Sequence, residues 1–209
     1  MVSPSIEGLT TVTFTEADGK TTIQVHATVL RIVPEAGGAI TGMYAGWSQS
    51  LDRLESSLRG TADREVLVTR LVSAPPELVF RAWTDADQVA RWFAPEGYGV
   101  PSCVVDARPG GEWLLTWLTP EGTEYPNRGV YREVVPPERI VYVEYWAERD
   151  GPPHEFEVTV TLYPMGDQTA LTVRTVFDSV AMREGAQTQG FEVGWGQLLD
   201  RLDALLAPA

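Results

Sequence analysis

The sequence holds one cysteine, Cys103, and two histidines, His26 and His154. A single thiol cannot build a disulfide framework or a cysteine-based metal cluster. Two scattered histidines are too few for a zinc site, so neither a metal nor a cofactor is expected. Basic residues are in the minority: 16 Lys and Arg stand against 29 Asp and Glu, giving a net charge of −13. Phosphate backbones and anionic lipid surfaces are bound by clustered Lys and Arg, so no nucleic acid and no membrane is expected as a partner. No apolar run reaches the length of about 20 residues that spans a bilayer. The opening residues MVSPSIEG lack the basic and apolar regions of a signal peptide. These absences together predict a cytoplasmic protein.

What is present is a repeat. Residues Gly42–Leu58 read GMYAGWSQSLDRLESSL, and Gly190–Leu206 read GFEVGWGQLLDRLDALL. The offset, 190 minus 42, is 148 residues. It holds upstream without a gap: Thr11-Val12-Thr13 matches Thr159-Val160-Thr161, Val25 matches Val173, and Gly37 matches Gly185. Nothing before residue 60 corresponds to Arg64–Pro153. The expected organisation is therefore a partial repeat over 1–60, a last hairpin plus helix, followed by a complete domain over 61–209. A domain of that size can bury a core without staples.

Periodicity places the elements. Residues 1–8 are polar and read as a frayed end. Thr10, Val12 and Phe14 alternate with threonines as a strand. Asp18-Gly19 signals a hairpin, and Ile23, Val25, Ala27 and Val29 share one face of the second strand. In the complete domain EVLVTRLV predicts a strand over 65–72. Pro75-Pro76 opens one short helix, and Asp85 with Gln88 three residues on opens another. Six strands follow at about 101–106, 111–118, 125–134, 139–147, 154–163 and 169–177, with Gly- and Pro-rich turns between them. One long helix closes the chain. This order predicts an α+β fold in which an antiparallel sheet carries helices on one face.

Alternation also selects the residues that meet the long helix. Trp113, Leu115 and Trp117 share a face, as do Phe156, Val158, Val160 and Leu162, and then Leu171, Val173 and Phe177. The helix offers Phe191, Trp195, Leu198, Leu199, Leu202 and Leu206. A curved sheet gripping so many aromatics leaves either a filled core or a cavity. The cavity candidates are Trp113, Leu115, Trp117, Tyr125, Tyr131, Trp146, Phe156, Val158, Phe177, Phe191 and Trp195. Catalytic chemistry has only weak candidates. His154 suits acid–base work near neutral pH, against its alternative as a turn histidine. Glu144 shares the parity of Tyr142 and Trp146, and an inward carboxylate needs a partner such as Arg132 or Arg174. Cys103 has no basic neighbour in sequence and reads as an inert thiol. Asp200-Arg201, repeated as Asp52-Arg53, reads as local surface ion pairs.

The segments APPELVFRAWTDADQVARWFAPEG, DARPGGEW, GVYREVVPPERIVY, TVTLYPMGDQTALTVRTVF and GWGQLLDRL resemble the START/SRPBCC superfamily, in the branch of homologues of the activator of Hsp90 ATPase. The resemblance covers about 64–206. It implies a helix-grip fold, also called START- or Bet v 1-like: a curved antiparallel sheet around a long C-terminal helix, with an apolar cavity between. Relatives in the superfamily bind lipids, sterols and polyketides, some cyclise or dehydrate polyketides, and the eukaryotic activator contacts its chaperone. The shared motifs are scaffold, with Gly110-Gly111 at a turn, Trp83 and Trp92 in packing, and Gly194-Trp195 at the helix–sheet contact. No catalytic motif comes with the resemblance. The leading expectation is non-catalytic binding of a small hydrophobic or amphipathic molecule. The alternatives are a polyketide cyclase/dehydrase-type enzyme and a chaperone-binding or regulatory module active in stress response. The partial repeat would expose its apolar faces alone, so residues 10–58 are expected to dock, with a homodimer favoured.

Overall fold

A computed structural model describes residues 6–33, 37–146 and 154–207. The chain divides into two compact units, Met1–Ser50 and Leu51–Ala209.

The first unit is a hairpin followed by the start of a helix. Strands β1 (Ile6–Ala17) and β2 (Lys20–Ile32) pair antiparallel as a two-stranded sheet. Asp18 and Gly19 turn the chain with φ of 53° and 71°, the two left-handed residues that a two-residue hairpin matching strand twist requires. Ordered pairing begins at Ile6, so the expected frayed end gives way to strand as early as Ile6–Leu9. Ile23, Val25, Ala27 and Val29 are half-buried while their neighbours are exposed, as the alternation predicts. Helix α1 (Gly37–Arg59) begins in this unit and ends in the next.

The second unit is a seven-stranded antiparallel sheet with helices on its concave face. Its strands are β3 (Glu65–Val72), β4 (Gly99–Val105), β5 (Glu112–Leu118), β6 (Glu124–Val135), β7 (Arg139–Trp146), β8 (His154–Met165) and β9 (Gln168–Phe177). Their order is β3-β9-β8-β7-β6-β5-β4, a meander that β3 closes by pairing with the last strand. Two short helices, α2 (Pro76–Thr84) and α3 (Ala86–Trp92), follow β3. Pro76 occupies the first turn of α2, where its missing N–H costs nothing. The Asp85 carboxylate caps α3 by accepting from the Gln88 amide at 3.1 Å. Gly111 is required beside the β4–β5 turn, because a Cβ there would lie 2.0 Å from the Asp106 carbonyl oxygen.

Two helices close the chain where one was expected. Helix α4 (Val180–Thr188) precedes α5 (Phe191–Leu206). The Ser179 hydroxyl caps α4 by accepting from the Met182 amide at 3.2 Å. Gly190, at φ 82°, makes the left-handed break between the two. The core fills the space between sheet and helices: Trp92, Val158, Val160, Leu171, Leu199 and Leu202 are all fully buried. Trp83 stacks on Trp195 at 5.9 Å and 20°. Trp92 donates its indole N–H to the Ala82 carbonyl at 2.9 Å.

Asp200 and Arg201 reach farther than local pairing. Arg70 of β3 pairs with Asp200 at 2.8 Å. The Arg201 guanidinium donates to the carbonyls of Arg91, Ala94 and Pro95 at 2.7–3.1 Å. It bonds carbonyls in the last turn of α3 and in the residues just beyond it. Sequence spacing alone cannot show this, because the acceptors lie some hundred residues away.

The outer face of β9 explains where the units divide. Arg174 and Glu65 form an ion pair at 2.8 Å, both side chains about nine-tenths buried. Ser56, at the end of α1, donates to the same Glu65 oxygen, and its hydroxyl oxygen accepts from Arg174 at 3.2 Å. Thr61 accepts from Arg174 at 3.0 Å. These bonds attach Leu51–Thr61 to the second unit.

The two hairpins share a register. Val12 pairs with Val25 and Ala17 with Lys20; Val160 pairs with Val173 and Met165 with Gln168. Each pair is displaced by the same 148 residues, and Ile6–Ala17 displaced by that offset is His154–Met165. Burial differs sharply. Val160 and Leu162 are at most 3% exposed, whereas Val12 and Phe14 are 42% and 65% exposed.

Candidate functional site

The concave face of the sheet carries Gly129, Tyr131, Tyr142, Glu144 and Phe156, brought side by side by the pairing of β6, β7 and β8. Gly129 leaves room that Trp113 fills: a Cβ there would sit 2.2 Å from the Trp113 indole nitrogen. Around Trp113, Leu115, Tyr131 and Tyr142 the sheet and the short helices leave a void of only about 20 Å³. That is room for about one water. Burial pushes the hydroxyl pKa of both Tyr131 and Tyr142 upward, so both stay neutral. Trp113, Leu115 and Tyr131 therefore belong to a closed aromatic layer, as do Phe156 and Val158, which are 2% and 0% exposed.

Larger space opens at the other end of the same face. A cavity of about 200 Å³ is lined by Phe93, Trp117, Glu144, Phe191, Gly194, Trp195 and Leu198, together with Pro95 and the end of α4. A wider cleft of about 760 Å³ lies against it. Pro95, Trp117, Ala186 and Gln189 stand in the walls of both. The cleft adds Tyr98, Tyr125, Asn127, Tyr145 and Phe177 from the sheet side and Ser179, Ala181, Met182 and Gly185 from α4. Trp117 is fixed by donating its indole N–H to the Phe93 carbonyl at 2.7 Å. Phe93 packs between Trp117 and Trp195, with ring centroids at 6.5 and 5.9 Å.

Six of the sequence-predicted cavity residues lie elsewhere or outside description. Trp113, Leu115, Tyr131, Phe156 and Val158 line the closed core, and the side chain of Trp146 is outside the described residues. So is the side chain of His154. Trp117, Tyr125, Phe177, Phe191 and Trp195 are brought together around the open space. Glu144 is 5% exposed and faces that space. Of the two suggested arginines, Arg174 is engaged with Glu65 on the opposite face, and Arg132 is exposed. Cys103 is half-buried, and burial, with the nearby charge of Asp87, raises its pKa and holds it as the thiol. The residues that sequence reasoning missed come mostly from α4. Ser179 before VAMREGAQ is a usable N-cap signal, but the segment has too few apolar residues to draw attention.

A family model described as "Activator of Hsp90 ATPase homolog 1-like protein" matches residues 73–207. The chain belongs to this family. Solved structures agree. A protein from Chromobacterium violaceum is 32% identical, with 70% of this chain and 99% of that one covered and a TM-score of 0.59. A protein from Nitrosomonas europaea is 28% identical, covering 69% and 95%, with a TM-score of 0.63. An AHSA1 protein from Silicibacter pomeroyi is 25% identical, covering 68% and 96%, with a TM-score of 0.58. No curated protein matches. Family and architecture together make the second unit a helix-grip domain. Among the described residues no helix is long and apolar enough to cross a membrane.

Proposed function

We propose that the helix-grip domain binds a small apolar or amphipathic molecule in the cleft under α4 and α5, without transforming it. The observation that carries this reading is the cleft of about 760 Å³ leading against the 200 Å³ cavity. That size is typical of ligand sites, which are largely apolar with a few placed polar groups. Here Glu144, Asn127 and the tyrosines supply the polar groups. Gly194 and Gly185 line the space, and a Cβ added at either meets nothing within 4 Å. Gly194→Phe should therefore fill the inner cavity while the fold persists. Native mass spectrometry after incubation with short aryl alcohols should show one bound molecule per chain for the wild type and none for Gly194→Phe. Equal binding by both proteins, or by neither, would contradict the reading.

A second reading concerns assembly, and exposed side chains support it. The hairpin of the first unit presents Val12 and Phe14 on the face whose counterparts in the domain are core. Its occupant on this reading is a second copy of the chain, forming a homodimer. Charge favours this choice. Residues 1–50 carry four carboxylates (Glu7, Glu16, Asp18, Glu35) against Lys20 and Arg31, so −2 of the total −13. Two copies meet least repulsion through their near-neutral hairpins. Sedimentation at micromolar concentration should give a dimer, and Phe14→Glu a monomer with unchanged melting of the domain. A monomeric wild type removes this reading.

A further inference from the structure

We propose that the void beside Tyr142 holds one neutral oxygen, bonded by the Tyr142 hydroxyl and the Trp83 indole N–H. Both side chains stand in its wall, 2% and 5% exposed. Among the described residues, neither polar atom has a hydrogen-bond partner. Buried polar groups are nearly always bonded, because one without a partner loses its hydration and gains nothing back. Trp92 and Trp117, in the same aromatic cluster, follow that rule: each donates its indole N–H to a carbonyl, at 2.9 and 2.7 Å. Trp83 is held as firmly by packing, stacked on Trp195 and edge-on to Trp92, yet its N–H is left over.

Chemistry narrows the occupant. Indole only donates, so it needs an acceptor, whereas the tyrosine hydroxyl both donates and accepts. No charged side chain lines the void, and apart from the two tyrosines its walls are aliphatic or indole and phenyl rings. An anion there would lose its hydration with no countercharge, and an ammonium offers the indole no lone pair. A neutral oxygen suits both groups, and about 20 Å³ accommodates one. Two sources supply it: a water, or the carbonyl end of a ligand. The second source rests on the binding reading above. Phe93 stands in the walls of both this void and the 200 Å³ cavity, so a ligand in the cavity has only that ring between it and Tyr142.

Two measurements on the full chain test this. Tyr142→Phe removes the hydroxyl and nothing else. With an oxygen bonded to it, the urea midpoint should fall by about 0.3–0.7 M, the loss of one hydrogen bond of ordinary net strength. A midpoint that holds or rises means a hydroxyl buried without a partner, and overturns the proposal. In the 15N-labelled wild type, the Trp83 indole proton should show a nuclear Overhauser contact with a long-lived water. Titration with 4-phenylbutan-2-one then separates the sources. A ketone oxygen taking the place abolishes the water contact and lowers the frequency of the carbonyl stretch; a resident water keeps its contact at saturation. A Trp83 indole proton that meets neither water nor ketone overturns the proposal. A water contact in a protein that binds no ketone upholds the oxygen site and counts against the cleft reading alone.

Discussion

Arg174 tests how Leu51–Thr61 is held to the domain. Its guanidinium is about nine-tenths buried, as is the Glu65 carboxylate 2.8 Å away. Replacing it by methionine keeps the length of the side chain and leaves Glu65 as a buried, unpaired charge. Breaking a buried pair in this way costs about 3–5 kcal/mol. With a urea slope of roughly 2 kcal/mol/M, the midpoint should fall by about 1.5–2.5 M. The double variant Glu65→Leu with Arg174→Met removes both charges. Ser56 and Thr61 keep acceptors in the Asp52 and Ser56 carbonyls, so no hydroxyl is stranded. The double variant should return to within about 1 kcal/mol of the wild type, because matched apolar replacements of buried pairs are close to neutral. Urea unfolding followed by tryptophan fluorescence reads both, Trp92 being fully buried. An Arg174→Met loss below about 1 kcal/mol, or a double variant no better than the single, would refute the argument.

Three further outcomes follow from particular contacts. Burial raises the pKa of Asp52 to about 6, with Arg174 opposing the shift. The folded state thus holds a proton that the unfolded chain releases near pH 4, so this group makes stability fall as pH rises from about 4 through 6. Denaturation across pH should show that slope in the wild type and lose it in Asp52→Asn, which is the more stable protein above pH 6. Gly129→Ala places a Cβ against the Trp113 indole and should cost about 1–3 kcal/mol through overpacking, with altered near-ultraviolet dichroism. Gly185→Ala, on α4 with open space at its Cβ, should be neutral or gain about 0.5–1 kcal/mol in thermal melting.

The fold was legible because periodicity and turns agreed. Alternation located every strand of the sheet to within a few residues, and Asp18-Gly19 and Asp85 announced a hairpin and a helix start that hydrogen bonds bear out. The helix between Ser179 and Gly190 was not legible, since its apolar face is sparse and a glycine at φ 82° separates it from α5. The site was legible by half. Alternation identifies which residues face inward, but it cannot tell Trp113, which lies over Gly129, from Trp117, which borders open space. That difference depends on how far the helices stand from each part of the sheet. Arg201 and Arg174 likewise act on groups far away in sequence, which spacing does not encode.

Indole resonances offer the most direct test of the cleft. The chain has seven tryptophans, and only some line the open space. Titrating the 15N-labelled protein with 4-phenylbutan-1-ol should shift the Trp117 and Trp195 indole signals together and saturably. The Trp92 signal, buried and bonded to Ala82, should stay in place, and Gly194→Phe should abolish the response. Indole signals that do not move, or that move equally at Trp92, would contradict a ligand site under α4 and α5.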